Sequence, residues 1–364
     1  MREPLPPLPY SWAQVKHRLQ QDLTRVLERL GIYDQPKNGL ITPLNPTRAD
    51  RHPGSFVIWT AGEAVGAWKD YATGDEGDLF MLIMYLGRLQ RRIDAYWWAL
   101  DHLGLARGEV RTKEQDAQDR DRIARDRAAA AAKEAKKSAE KSASLFKLWL
   151  GLPEGIIGTP AERYLREARG LPIEQLPYPI GALRWARDVE WIDPETGEVK
   201  TWSNVMMAAV TKGAKVIGLH RTFLKPDGSG KAPGKAKFMI GPTAGGAIRL
   251  TKGKGGLTPG EAEKKGARCP LILGEGIETT LTPAIARPDY RAWAAGSLDH
   301  MALIEWPECA SAVVLLRDND WAPEAQRAFE KVHRHWEKQG AGRPVAVVSS
   351  TSGSDLNDMV RGVG

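Results

Sequence analysis

The sequence predicts an α/β chain, α+β when taken over several domains, that ends in a parallel sheet. Three observations carry this. Short aliphatic runs, Leu271-Ile272-Leu273, Val313-Val314-Leu315-Leu316 and Val345-Ala346-Val347-Val348, are bounded by Gly and polar residues, as parallel strands covered on both faces are. Helical patterns separate them, roughly over 279–286 and 323–338, with Pro323 at a first-turn position. Each run is also followed by acidic residues: Glu275, then Asp318 and Asp320, then Asp355 and Asp358. The alternation implies β-α-β units, whose ligands bind beyond the carboxyl ends of the strands.

The chemistry follows from those acids. In Asp318-Asn319-Asp320 an extended backbone puts both carboxylates on one face. Converging carboxylates repel unless a cation or proton sits between them. Hard oxygen donors suit Mg²⁺ or Mn²⁺, which in turn hold phosphates, so a divalent-metal phosphoryl-transfer site is expected. Taken singly, a Glu-Gly after a strand is a turn and Asp-Asn-Asp a solvated loop or helix cap; three in order, each after a strand, point to chemistry.

Glu-Gly after one strand, Asp-x-Asp after the next and a late Asp resemble the Toprim domain of bacterial-type primases, topoisomerases and some nucleases. The forms Gly-Glu-Gly-Ile-Glu-Thr, Arg-Asp-Asn-Asp and Ser-Asp-Leu-Asn-Asp are similar to the branch in phage and plasmid primase-like proteins. The resemblance implies a Rossmann-like parallel sheet. It makes Glu275 the acid/base or metal-linked glutamate, Asp318 and Asp320 metal ligands, and Asp355 with Asp358 the rest of the acidic cluster. Asn357 stands where a related pattern has a second acid.

Composition bounds the rest. At 364 residues the chain can bury two or three cores. A formal net charge of +7 suits a polyanionic partner. Two cysteines, Cys269 and Cys309, exclude a disulfide framework and a four-cysteine zinc site. No run approaches the roughly 20 apolar residues of a membrane span, and the Pro-rich start has no apolar signal core, so a cytoplasmic setting without membrane association is expected.

Four segments are expected. In residues 1–105, the apolar spacing over Trp12–Leu30 predicts an amphipathic helix ending at Gly31. A small module follows: a turn at Asn38-Gly39, hairpin strands at Ser55–Trp59 and Ala67–Tyr71, and a helix capped by Asp78. The order His52-Pro53-Gly54-Ser55-Phe56, Trp68-Lys69-Asp70 and Gly77-Asp78 is similar to the zinc ribbon of bacterial primases. This segment holds no Cys, and His52 alone cannot hold structural zinc, so no zinc is expected. Either Phe56, Trp59, Trp68 and Tyr71 with Arg48, Arg51 and Lys69 touch single-stranded DNA, or they form an aromatic core with a basic rim.

Residues 106–150 are charged and Ala-rich with almost no apolar stripe, which predicts a solvated helical linker. Residues 151–260 begin a helix at Thr159-Pro160-Ala161-Glu162, with Thr as cap and Pro in the first turn. Strands are expected around a turn at 193–197, over Asn204–Val210 and over Lys215–Leu224. The Gly- and Lys-rich stretch beyond contains Lys231, Lys235, Lys237 and Arg249. Tyr164-Leu165 with Arg169-Gly170-Leu171, then Ile217-Gly218-Leu219 with Arg221, then Lys237-Phe238 resemble the primase-core subdomain before Toprim. By that resemblance Arg221 and Lys237 hold nucleotide phosphates or template. Residues 261–364 are the Toprim region.

A basic wall of Arg221, Lys231, Lys235, Lys237 and Arg249 facing an acidic metal cluster is what nucleotide polymerisation requires. No GxxxxGK[ST] spacing occurs, so no helicase motor is expected. The expected activity is primer synthesis on single-stranded DNA from nucleoside triphosphates, for a phage, plasmid or other mobile element. The chain stops six residues after Asp358, before the helical remainder of a primase core, which makes a separate replicative helicase an expected partner. A Toprim nuclease and a non-catalytic DNA-binding replication adaptor are the alternatives.

Overall fold

The computed structural model describes residues 8–37, 39–48, 50, 53–106, 112–192, 198–234, 236–320 and 322–362. Asn38, Arg51, His52, the 193–197 turn and Lys235 therefore lie outside the described residues. The chain divides into two compact units, Met1–Lys137 and Ser138–Gly364. Among the described residues no helix is long and apolar enough to cross a membrane.

In the first unit the single helix expected over Trp12–Leu30 is two, α1 (Trp12–Gln21) and α2 (Leu23–Arg29). Ser11 and Gln14 form a reciprocal capping box at the start of α1. The joint is Asp22, whose carboxylate is drawn to His102 Nε2 at 3.1 Å and whose backbone leaves the helical region. Strands β1 (Leu40–Ile41), β2 (Phe56–Trp59), β3 (Trp68–Asp70) and β4 (Glu76–Gly77) form an antiparallel sheet in that order. Helices α3 (Leu79–Gly87), capped by Asp78, and α4 (Arg92–His102) complete the core with Phe56 and Trp68. The buried Asp70 carboxylate accepts from Asn45 Nδ2 at 2.7 Å and pairs with Arg48. Lys69 pairs with Glu76 at 3.4 Å and lies over the Tyr71 ring. Two of the three expected basic contacts are thus tied into the unit itself.

Helix α5 (Lys113–Gly151) carries the division between the units. It is more than a solvated linker. Ile123 is buried in the first unit, where Asp119 pairs with Arg18 at 3.2 Å, and Leu145 and Trp149 are part of a core in the second. The apolar stripe is sparse along its length but concentrated where the helix packs.

The second unit starts with α6 (Pro160–Arg163), capped by Thr159, which continues as a wide π turn over Tyr164–Ala168. Strands β5 (Leu183–Ala186), β6 (Val189–Ile192), β7 (Val199–Trp202), β8 (Val205–Lys212), β9 (Lys215–Phe223) and β10 (Lys237–Ile240) follow. Four of them form an antiparallel sheet, order β10-β9-β8-β5, while β6 and β7 pair separately. Tryptophans 191 and 202 pack with Phe223 and Phe238 on one face of that sheet.

The C-terminal sheet begins earlier than 261, with β11 (Ile248–Lys252). After α7 (Pro259–Lys264) come β12 (Cys269–Gly274), α8 (Ile277–Ala286), β13 (Arg291–Ala294), α9 (Leu298–Met301), β14 (Ala310–Arg317), α10 (Pro323–Gly340), β15 (Val345–Ser349) and α11 (Leu356–Arg361). The sheet order is β11-β13-β12-β14-β15, with β11 antiparallel and the other pairings parallel. The expected parallel sheet is present, but its last strand is not buried. Strand β15 is an edge, with Val347 and Val348 about two-fifths exposed.

Candidate active site

Strand β12 is central, with β13 on one side and β14 on the other; the connection out of β12 leads to β13 and that out of β14 to β15, so the chain leaves these two neighbours in opposite directions at their carboxyl ends. Such a switch point opens a crevice where backbone and side chains face a ligand. Glu275 follows β12, and Asp318 and Asp320 follow β14. Gly274 makes the close approach possible, because a Cβ there would collide with Thr280 Oγ1. Asn319 fixes the second loop against the third: its N–H donates to Ser354 O and its Nδ2 to Gly353 O, both at 2.9 Å.

The electrostatics of these acids call for a cation. Burial pushes Asp318 up to about 7, and the Glu275, Asp355 and Asp320 carboxylates add to the shift against Lys237. Glu275 is likewise raised, chiefly by burial, with Asp299 and Asp320 adding and Lys237 opposing. Among the described residues no three His, Cys, Asp or Glu side chains converge closely enough to cage one ion. Mg²⁺ does not need a cage; it keeps several waters and binds through one or two carboxylates plus substrate phosphates. The oxygen donors present fit an ion of that kind, and Asp318 and Glu275 are the residues that would hold it, with Asp320 beside them.

Asp355 and Asp358 are placed differently. The Asp355 carboxylate caps α11 by accepting from Asp358 N at 2.9 Å. Arg169 Nη2 lies 3.6 Å from Asp355 and 3.7 Å from Asp358. Asp358 also accepts from Ser354 Oγ and neighbours Arg361. Asp355 lends negative charge to the crevice through Asp318, while both acids already face a guanidinium. Asn357 donates to Arg169 O at 2.9 Å and Thr282 Oγ1 at 3.2 Å, tying α11 to α8 and to the π turn.

The expected basic wall divides. Lys237 opens β10 and pairs in register with Thr222, whereas Arg221 pairs with Phe238. Directly paired residues share a face and successive residues alternate, so Lys237 and Arg221 lie on opposite faces of this sheet. Arg221 stands over Phe223 on the tryptophan face, away from the acids, where burial lowers its pKa. Arg249, on β11, lies over Trp293 rather than beside the carboxylates. Only Lys231 and Lys237 of the described candidates reach the acidic side.

What holds those two lysines is Glu278, which the sequence pattern displayed but did not single out. It is 3% exposed in the first turn of α8. Lys231 Nζ lies 3.0 Å from one carboxylate oxygen and Lys237 Nζ 3.6 Å from the other, while Tyr164 OH donates to Glu278. Burial alone would raise its pKa, but Lys237, Lys231 and the Tyr164 hydroxyl together hold it well below the usual carboxylate range. Burial lowers Lys231; it also works against Lys237, where Glu278 overcomes it and Glu275 adds to the rise. His220, on the same face, is driven down to about 4 by burial and stays neutral at pH 7. The one available signal was spacing: three residues after Glu275, Glu278 falls in the turn of α8 that faces the antiparallel sheet.

Residues 270–364 match the Toprim family. The C-terminal region is a Toprim domain. Toprim domains bind divalent metals such as Mg²⁺ and occur in metal-dependent enzymes acting on nucleic acids, among them primases, nucleases and topoisomerases. Residues 139–250, which supply Tyr164, Arg169, Lys231 and Lys237 to the Toprim site, match a family described as a domain of unknown function, DUF7146. No curated protein matches the chain.

Proposed function

We propose that the second unit is a primase-like nucleotidyltransferase that joins nucleotides on a single-stranded DNA template. One observation carries the reading: Lys237 is delivered by the segment preceding the Toprim domain into the field of both Glu275 and Asp318. A cation adjoining a metal-seeking carboxylate cluster is where a triphosphate belongs, its charge shared between ammonium and metal.

Bound at Asp318 and Glu275, the divalent ion would lower the pKa of an attacking hydroxyl and neutralise charge on the phosphates. The chain's own residues do the positioning. Glu278 anchors Lys231 and Lys237, so that Lys237 presents its ammonium toward the acids while the carboxylate itself stays ionised. Arg169 balances Asp355 and Asp358, which keeps the third loop against the crevice. Neutral His220 fills the floor behind them without adding charge.

The nuclease reading uses the same acids with water as nucleophile, and no residue of the site favours it over the transferase. The test is primer synthesis on mixed single-stranded DNA with labelled nucleoside triphosphates and Mg²⁺ or Mn²⁺, beside Asp318→Ala/Asp320→Ala. Short products from the wild type alone support the proposal. Template cleavage without products would replace it by the nuclease, and DNA binding with neither activity by a replication adaptor.

A further inference from the structure

The second unit contains another cleft, of about 760 Å³, at the other end of the Toprim sheet. Its lining includes Arg291, the first residue of β13, and Pro307 and Glu308, which precede β14. The acids of the candidate active site follow the carboxyl ends of β12 and β14, so the two places lie at opposite strand ends. The volume is that of a site for a small organic ligand.

Three residues that line this cleft carry buried, unpartnered donors. Arg291 is 2% exposed and Trp293 is 4% exposed, yet Arg291 Nε and Trp293 Nε1 have no hydrogen-bond acceptor, and neither has Arg249 Nε. Arg291 Nη1 donates to Leu257 O at 2.8 Å, and the Arg249 guanidinium lies 4.9 Å from the centre of the Trp293 ring. Among the described residues neither arginine has a carboxylate within ion-pair distance; Glu263, which also lines the cleft, acts on Arg249 only at longer range. A buried guanidinium without a counter-charge beside a second, half-buried one is costly, and so are buried N–H groups without acceptors. A phosphate answers both needs, since its oxygens accept from several donors and its charge matches two arginines. Lys212 adds a cation to the lining, and Trp149 and Trp306 give it an apolar flank.

We infer that this cleft is a second ligand site, taking a nucleoside phosphate with its phosphate on Arg249, Arg291 and Trp293 Nε1 and its base against the tryptophan flank. It does not rest on the polymerase reading, because none of its residues is among the acids or the lysines of the active site.

The experiment is equilibrium binding of ATP, and separately of inorganic phosphate, to the full chain carrying Asp318→Asn/Asp320→Asn, with EDTA present. That background removes metal-dependent nucleotide binding at the acids. Saturable ATP binding is expected, weakened about ten- to hundredfold by Arg249→Gln and also by Trp293→Phe, which removes one donor while keeping an aromatic ring at the position. Melting curves for both variants establish that the fold is retained. Phosphate binding as tightly as ATP would overturn the nucleoside assignment. Absence of ATP binding, or binding that both variants leave unchanged, would overturn the site.

Discussion

The Tyr164 hydroxyl donates to the carboxylate of Glu278, 114 residues further along the chain. That bond spans the segment matching a domain of unknown function and the Toprim domain, and it ends on the group that also holds Lys231 and Lys237. The two segments build one site. Breaking a buried pair by neutralising one partner costs about 3–5 kcal/mol, because the other charge is left unpaired. Glu278→Gln should therefore lower the melting temperature and abolish detectable nucleotide transfer. The loss depends on pH in a definite sense. A carboxyl held below its ordinary value of 4.5 contributes its full stability above that pH and loses it as pH falls further. The gap between wild type and Glu278→Gln should close in acid, and a gap that is constant with pH would contradict the assignment.

Asp318 should behave in the opposite way. Its pKa is raised to about 7, so the folded chain holds this proton more tightly than the unfolded chain. Ionisation then costs stability, increasingly as pH rises from the ordinary aspartate value to about 7, and in full above it. Without metal, Asp318→Asn should melt higher than wild type above neutrality, by roughly 2–4 °C for a screened effect of about 1 kcal/mol. With Mg²⁺ added the order should reverse, since only the wild type gains from the ion. Melting curves with EDTA and with Mg²⁺ decide this, and a variant less stable than wild type in EDTA at high pH would count against it.

Metal affinity follows from the same proton. An ion at Asp318 must displace it whenever the pH is below about 7. Mn²⁺ affinity should weaken by about tenfold per pH unit below that point and level off above it. Titration calorimetry across that range gives the slope, and an affinity independent of pH would place the ion elsewhere.

The sequence carried the Toprim region in legible form because strand, glycine and acid recur there as contiguous motifs. Glu275, Asp318 and Asp320 fall at the strand ends where the alternation put them. Strand β15 misled because a continuous aliphatic run does not distinguish a central parallel strand from an edge. Glu278 was hidden for another reason. Its partners come from residues 164, 231 and 237, and no local pattern announces a contact made only when two sheets meet. The long helix was legible as a helix, but its few apolar residues, Ile123, Leu145 and Trp149, did not reveal that they anchor it at separate places.

The division of the basic wall gives the last prediction. Sequence placed Arg221 and Lys237 together, and the β9–β10 register separates them: Lys237 pairs with Thr222 on the acidic side, and Arg221 pairs with Phe238 on the aromatic side. An ammonium that meets the incoming phosphates contributes a charge-assisted contact, and removing it should raise the nucleotide KM about tenfold or more. Lys237→Ala should show that rise, together with a lower melting temperature because Glu278 keeps Lys231 and the Tyr164 hydroxyl but loses this partner. Arg221→Ala should leave KM within about twofold, because its guanidinium stacks over Phe223, and should instead lower the melting temperature through lost packing. Steady-state kinetics on the two variants separate the faces, and a matching rise in KM for Arg221→Ala would mean that the template or nucleotide crosses to the aromatic side of the sheet.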